Sequence, residues 1–102
     1  MLRWAILGTS FISETMAQAI EASPGSVTTV VIGRDPKRLE QFRARHGIAR
    51  AVTSLEVALR ASDIDVVYVA TPNHVHHEAT ILAAAAGKAA AKMLKNIKVL
   101  TN

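Results

Sequence analysis

The segment from Trp4 to Ser13 constrains the fold of this chain more than any other. An apolar run ends at Gly8, small hydroxyl residues follow, and an amphipathic helical pattern then begins. This is the layout of a β-strand, a tight turn and a helix N-terminus, whose unpaired N–H groups and positive dipole end suit a phosphate. The dinucleotide fingerprint asks for three glycines, and the chain has Gly8, Ser10 and Ser13 there. The pattern is weak alone, so its meaning depends on the surrounding sequence.

Length and composition limit the chain to one small domain. It has 102 residues, of which 50% are hydrophobic but only 4% aromatic, so a modest core is expected. The absence of cysteine excludes disulfides, thiolate metal sites and cysteine nucleophiles. There is no apolar run of about 18 residues and no signal-peptide pattern, so we expect a soluble, cytoplasmic protein without a membrane span.

The formal net charge of +4 comes from two basic clusters. The first contains Arg34, Lys37, Arg38, Arg43, Arg45 and Arg50, and the second contains Lys88, Lys92, Lys95 and Lys98. A solvated helix face is the simpler interpretation, and a specific anion site in the first cluster is the alternative. Nucleic-acid binding is disfavoured because the sequence has neither an aromatic stripe for base stacking nor a recognition-helix motif.

Strand and helix patterns alternate along the chain. Apolar or β-branched runs predict strands over 2–7, 27–32, 51–52 and 65–70, and periodic patterns predict helices over 11–22, 36–46, 55–61 and 74–86. The first helix is expected to bury one face, made of Ile12, Met16, Ala19 and Ile20. The second is expected to bury Leu39, Phe42 and His46. Helix ends are indicated by Ser10, by Asp35 with Pro36, by Gly47 and by Ser54.

This order predicts an α/β fold with a doubly wound parallel sheet, a Rossmann-type half domain. Strands without alternation require helices on both faces, and right-handed crossovers give the strand order 3-2-1-4, with a fifth strand possible at the edge. The first strand and the strand ending at Ala70 become neighbours. Their carboxyl ends form the crevice where ligands bind, and Gly8 and the loop Thr71-Pro72-Asn73 both fall there.

The opening turn supplies the first set of candidate cofactor-binding residues. Gly8 permits a tight turn with positive φ, and Thr9, Ser10, Phe11 and Ile12 would present backbone N–H groups to a diphosphate. Ser10 adds bulk but also a hydroxyl donor, while Ser13 is small enough for close packing of helix on strand. The alternative is an ordinary strand-to-helix turn.

The end of the second strand predicts which dinucleotide is preferred. An NAD site places a carboxylate there for the ribose 2′-hydroxyl, but this chain has Gly33 and then Arg34. Asp35 is better explained as a helix cap. A guanidinium suits a 2′-phosphate, and Arg38 lies one helical turn further on, so we predict NADP over NAD. Alternatively, Arg34 is only an exposed turn residue.

Three histidines, His74, His76 and His77, suggest a metal site, but no carboxylate or cysteine accompanies them at a recognised ligand spacing. We therefore expect no metal. His76 is better interpreted as supporting the loop Thr71-Pro72-Asn73. No catalytic residue can be assigned from the sequence.

Taken together, these motifs resemble those of the N-terminal domain of the Gfo/Idh/MocA oxidoreductase family, the group of glucose–fructose oxidoreductase and inositol dehydrogenase. The matching segments are 5–13, 33–36, 69–78 and 86–88, and the T-P-x-x-x-H element formed by Thr71, Pro72 and His76 is the most specific. The resemblance implies a Rossmann domain over 1–88 that binds NAD(P), with 71–73 near the nicotinamide. It also implies hydride transfer to or from sugars, polyols and diols.

Residues 89–102 depart from this family. Where its members continue into a buried strand and E-K-P, this chain has alanines, Lys92 and Met93, and Leu94 takes the position of the lysine that the family uses in catalysis. These residues favour helix, although 97–101 could form a displaced strand. The family's substrate domain is expected to be missing, so a substrate would be bound only with that second part.

Three functions follow in order of preference. The first is the NADP-binding domain of an oxidoreductase acting on a sugar, polyol or related hydroxy compound, expected to be inactive alone. The second is a non-catalytic Rossmann-type nucleotide-binding or regulatory module. The third is a small basic structural or nucleic-acid-associated protein. Apolar surface left by a missing domain would favour a homo-oligomer.

Overall fold

The computed structural model describes residues 1–60, 63–70 and 98–101 of the chain. Five strands pair in parallel in these residues: β1 Leu2–Leu7, β2 Ser26–Ile32, β3 Arg50–Val52, β4 Val66–Val69 and β5 Lys98–Thr101. Within the described residues, three helices lie in the connections from β1 to β4: α1 Phe11–Glu21, α2 Pro36–His46 and α3 Leu55–Arg60. The predicted helix over 74–86 lies outside the described residues.

The sheet has the order β3-β2-β1-β4-β5, which confirms the predicted α/β arrangement. The direction in which strands are added across the sheet reverses at β1, because β2 and β3 lie on one side of it and β4 lies on the other. β5 pairs with β4 at the opposite edge from β3. The displaced strand considered for 97–101 is therefore the correct alternative at that end of the chain.

Each face of the sheet carries its own apolar core. On the face covered by α1 and α2, the buried side chains are Ile6, Ala17, Ile20, Val31, Leu39, Phe42 and Ile48. On the face covered by α3, they are Ala5, Val30, Ile32, Leu55, Ala58, Ile64, Val67 and Val69. Successive residues of β1 and β2 point to opposite faces, so both faces of these central strands must be apolar. This explains why their sequences lack alternation.

The helix ends follow the residues that predicted them. Ser10 is the N-cap of α1, and Asp35 caps α2, with Pro36 at its first position. Gly47 ends α2 in the left-handed conformation at φ 63°. The Asp35 carboxylate accepts from the backbone N–H of Lys37 at 3.0 Å, so it serves the helix, as predicted.

The buried face of α1 differs from the predicted one. Ser13, Ala17 and Ile20 face the sheet, whereas Ile12 is 40% exposed and Ala19 is also exposed. The helix begins at Phe11, and spacings of four and three residues place 13, 17 and 20 on one stripe. The prediction for α2 was correct for Leu39 and Phe42, and the His46 side chain is only 5% exposed.

A bidentate ion pair joins β1 to the start of β4 at the edge opposite the carboxyl ends. Arg3 donates from its backbone N–H and its Nε to Asp65 Oδ2 at 2.8 and 3.1 Å, and from Nη2 to Oδ1 at 3.0 Å. The side-chain bonds from Arg3 lower the pKa of the Asp65 carboxyl below its ordinary value, and the bond from the Arg3 backbone N–H makes the next largest contribution. The Arg3–Asp65 pair therefore stabilises the fold at a pH above the pKa of the unfolded Asp65 carboxyl, near 3.8. This stabilisation is lost as the pH falls through the lower pKa of the folded state.

The variant Asp65→Asn is expected to unfold a few degrees below the parent chain at pH 7, because the neutral amide has one acceptor oxygen instead of two and cannot form the bidentate ion pair with Arg3. The gap should narrow as the pH falls below about 4, since the Asp65 carboxyl of the unfolded parent chain then takes up a proton, and it should close once the pH has fallen through the lower pKa of the folded state. Thermal unfolding followed by circular dichroism at pH 7 and pH 3 measures both values. Glu40→Gln, which removes an exposed pair with Arg43 inside α2, is the control and should change less. A gap of constant size between pH 7 and pH 3 would contradict this interpretation.

Among the residues that the structure describes, no helix combines the length and apolar character required to cross a bilayer.

Candidate functional site

The turn between β1 and α1 lies at the carboxyl edge of the sheet, where both neighbouring strands contact it. Gly8 has φ 114°, a region that residues with a side chain rarely adopt, and its N–H donates to Ile32 O at the end of β2 at 2.7 Å. On the other side, the N–H of Ala70, just after β4, donates to Leu7 O at 2.9 Å. The turn therefore lies at the point where the order of the strands reverses, as predicted.

The first turn of α1 presents open backbone donors. The helical ladder starts with Glu14 N–H donating to Ser10 O at 3.1 Å. Within the described part of the chain, the N–H groups of Thr9, Phe11 and Ile12 have no acceptor. Together with the dipole of an eleven-residue helix, these donors form a seat for an anion.

Ser10 departs from the expected set of free donors. Its backbone N–H donates to Ser13 Oγ at 3.2 Å, so in this structure it is not directed at a ligand. The cause is the spacing of the two serines, which is that of a capping box in which the third residue of the helix accepts from the N-cap N–H. Ser13 itself is fully buried between helix and sheet, which confirms the close packing expected there.

The Ser10 hydroxyl donates to the backbone carbonyl of Ala70 at 3.0 Å. Sequence reasoning missed this contact, because a main-chain carbonyl sixty residues away leaves no signal in the pattern. The bond connects the N-terminus of α1 to the end of β4, from which the chain continues into Thr71.

The end of β2 brings two arginines to the same edge. A Cβ atom placed on Gly33 would lie 3.2 Å from the Leu39 side chain and 3.5 Å from Cγ2 of Thr9, so the strand end passes close to the turn. Arg34 follows directly and is exposed, and Arg38 is exposed in the first turn of α2. Since the Asp35 carboxylate is used as a cap, it is not free for a ribose hydroxyl, whereas the two arginines are exposed cations that a ligand could contact here.

An acidic residue in the first turn of α1 is neutralised from α2. Glu14 would oppose a bound phosphate, but its carboxylate pairs with the Arg45 guanidinium and with His46 Nε2, the latter at 2.7 Å. The second ring nitrogen, Nδ1, faces Glu21 Oε1 at 3.1 Å. These pairs leave the positive potential of the helix end less opposed.

Four candidate residues, Thr71, Pro72, Asn73 and His76, lie outside the described residues, as do His74 and His77. Among the residues that are described, no group of three or more potential ligand side chains is arranged to hold a metal ion.

The family profile for the Gfo/Idh/MocA oxidoreductases, described as an oxidoreductase family with an NAD-binding Rossmann fold, matches residues 2–92. The chain is 37% identical over 89 residues to 1,5-anhydro-D-fructose reductase of Ensifer adhaerens, covering 86% of this chain and 26% of that protein. It is 32% identical over 82 residues to scyllo-inositol 2-dehydrogenase (NADP(+)) IolU of Bacillus subtilis (strain 168), covering 80% and 25%. The chain thus spans about a quarter of these relatives.

Two solved structures show the same fold. GenD2 from gentamicin A biosynthesis, in complex with NAD, aligns with a TM-score of 0.82 at 28% identity, covering 98% of this chain and 26% of that one. A variant of KijD10, a 3-ketoreductase from Actinomadura kijaniata in complex with TDP-benzene and NADP, aligns with a TM-score of 0.80 at 28% identity, covering 98% and 29%. With the profile match and the geometry above, the chain belongs to the Gfo/Idh/MocA oxidoreductase family and carries its NAD(P)-binding Rossmann fold.

Proposed function

We propose that this chain is the NADP-binding domain of an oxidoreductase that transfers hydride to or from a sugar, a polyol or a related hydroxy compound. The observation that carries the proposal is the meeting of two features at one edge of the sheet. Open amides at the start of α1 suit a diphosphate, and exposed Arg34 and Arg38 stand at the end of the adjoining strand β2.

The diphosphate would bind at Gly8, Thr9, Phe11 and Ile12. Gly8 contributes its positive φ, which permits the tight turn from β1 into the N-terminus of α1. Thr9, Phe11 and Ile12 contribute N–H donors, which bind an anion more strongly than a neutral acceptor. Phe11 is 83% exposed, so its ring is not packed in the core and leaves its N–H open to a ligand.

The preference for NADP would come from Arg34, assisted by Arg38. A guanidinium makes two parallel bonds to a phosphate, and it cannot serve the ribose 2′-hydroxyl as a carboxylate does. Relatives and structural neighbours carry either cofactor in their names or titles: NADP for the Bacillus dehydrogenase and KijD10, NAD for GenD2. The preference therefore depends on the residues of this chain.

The substrate class is supported by the printed activities of relatives, an anhydro-sugar reductase and an inositol dehydrogenase. When bound, the nicotinamide supplies or accepts the hydride. The loop Thr71-Pro72-Asn73 would lie beside it, with His76 supporting that loop. The domain would orient the cofactor, and a substrate would need groups from a further part of the protein.

The second candidate is a non-catalytic nucleotide-binding or regulatory module. It is favoured by Leu94, which occupies the position where the resemblance places the family's catalytic lysine. The two candidates share the dinucleotide site and differ in hydride transfer. A coding region that continues past Asn102 and encodes an E-K-P segment and a second domain would decide for the enzyme.

Titration of the chain with NADPH, followed by nicotinamide fluorescence, tests the binding site. We expect saturable binding, and binding of NADH at least about tenfold weaker, because it lacks the phosphate that Arg34 would hold. Displacement of NADPH by 2′,5′-ADP, but poorly by 5′-ADP, would assign the difference to the 2′-phosphate. If neither nucleotide bound, the proposed function would be wrong, and equal affinities would remove the NADP preference.

A further inference from the structure

The turn from β1 into α1 is bonded at both ends to a single residue, Ala70, which follows directly after β4. The residue before the turn, Leu7, accepts the N–H of Ala70 through its carbonyl at 2.9 Å. The residue after it, Ser10, donates its hydroxyl to the carbonyl of Ala70 at 3.0 Å. Ala70 is only 1% exposed, and the bond from the Ser10 hydroxyl is partly buried, so competition from water is reduced at the shared residue.

Ser10 has no donor left for a ligand while these contacts hold. A serine carries one backbone N–H and one hydroxyl proton. Its N–H is directed at Ser13 Oγ and its hydroxyl at Ala70 O. The open amides lie on either side of it, at Thr9 and at Phe11 and Ile12.

We propose that Ser10 is a positioning residue, whose hydroxyl ties the start of α1 to the end of β4 and thereby aims the neighbouring amides at the diphosphate. This inference rests on the proposed function for its ligand. It assigns to the second fingerprint position a role that glycine lacks: glycine there lets a phosphate approach the backbone, whereas serine links the start of α1 to the end of β4.

The tie also has a consequence for the other half of the site. Because Ala70 is the residue from which the chain enters 71–73, the bond fixes the starting point of the segment expected near the nicotinamide. Loss of the hydroxyl would therefore release both the start of α1 and Ala70, whereas loss of a hydroxyl that only contacted phosphate would release neither in the free protein.

The variants Ser10→Ala and Ser10→Gly, in the full chain, remove the tie. We expect faster exchange of the Ala70 and Gly8 amide hydrogens in the ligand-free protein, and NADPH affinity reduced about fivefold, which is the usual effect of one lost hydrogen bond. Ser10→Thr, which keeps a hydroxyl, should restore the slow exchange and most of the affinity. Hydrogen exchange followed by NMR and fluorescence titration supply the two readouts.

Thr15→Ala is the matched control. Its hydroxyl also donates to a backbone carbonyl, that of Phe11 at 3.2 Å, but the bond stays within α1 and is exposed. Thr15→Ala should leave the exchange rate of the Ala70 amide and the affinity for NADPH unchanged. This result would exclude a general loosening of α1 as the cause of the effects in Ser10→Ala.

Two results would overturn the proposal. Unchanged exchange of the Ala70 amide in Ser10→Ala would show that the hydroxyl is not a tie, and reduced affinity in that case would assign it to the phosphate directly. If Ser10→Ala exchanged its Ala70 amide faster but bound NADPH within twofold of the parent affinity, the hydroxyl would be a tie that does not position the neighbouring amides. If the parent chain itself failed to bind NADPH, the proposed function would fail, and the exchange measurement would still decide whether the tie exists.

Discussion

Replacing Gly8 with alanine is expected to remove dinucleotide binding, with affinity for NADPH reduced by about 100-fold or more. Gly8 holds φ 114°, where any residue with a Cβ is strained by about 1 to 3 kcal/mol. The strain is relieved if the peptide rotates. Rotation would break the bond from Gly8 N–H to Ile32 O and turn the amides of Thr9, Phe11 and Ile12 away from the diphosphate together.

Gly25→Ala is the matched control for this prediction. Gly25 also has positive φ, 82°, and no atom lies within 4 Å of an added Cβ, so the change introduces backbone strain without a clash. It lies at the opposite edge of the sheet, where its carbonyl accepts from Leu2 N–H at 2.6 Å. Both variants should unfold at lower temperature, but only Gly8→Ala should lose NADPH in a fluorescence titration. Parental affinity in Gly8→Ala would show that the turn does not hold the nucleotide.

The sheet could be predicted from the sequence because each local signal agrees with the fold. Runs such as 27–32 lack alternation, which requires cover on both faces, and Asp35, Pro36 and Gly47 mark the ends of α2 by their own backbone chemistry. Such signals lie within a few residues of the feature that they predict. The strand order then follows from the handedness of the crossovers.

The features that the sequence did not predict correctly depend on contacts between distant segments. Which stripe of α1 faces the sheet depends on how the helix is docked, so Ile12 and Ala19 were wrongly assigned to the buried face, where Ser13 and Ala17 lie. The hydroxyl of Ser10 finds its acceptor on another strand, and the Glu14 carboxylate finds its partners on α2. Contacts between distant segments form only after the chain has folded, so no spacing in the sequence shows them.

The two proposed nucleotide contacts lie on different elements, which has a consequence for engineering. Diphosphate binding is assigned to the start of α1, whereas discrimination at the ribose is assigned to the end of β2. Changes at Arg34 should therefore alter which dinucleotide is preferred without removing the site. This differs from Gly8, where both nucleotides are lost together.

The substitution Arg34→Asp is expected to invert the cofactor preference, shifting the ratio of NADPH to NADH affinity by about 100-fold. Losing the charge-assisted bond to the 2′-phosphate accounts for about tenfold, and repulsion between the new carboxylate and that phosphate adds to it. NADH should gain affinity, because a carboxylate at this place can accept from the ribose 2′-hydroxyl. Titration of both reduced nucleotides with the parent and variant chains measures the ratio.

Arg60→Asp is the control for the change in net charge, because it also replaces a positive side chain by a negative one. Arg60 is exposed at the last turn of α3, and the parallel topology places that helix end at the sheet edge opposite the carboxyl ends of the strands. It should lower the affinities for both nucleotides slightly and equally, through the long-range loss of positive potential. Equal ratios in Arg34→Asp, Arg60→Asp and the parent chain would show that Arg34 is an exposed turn residue without contact to the ribose. A ratio that shifts only in Arg34→Asp would place the 2′-phosphate at the end of β2.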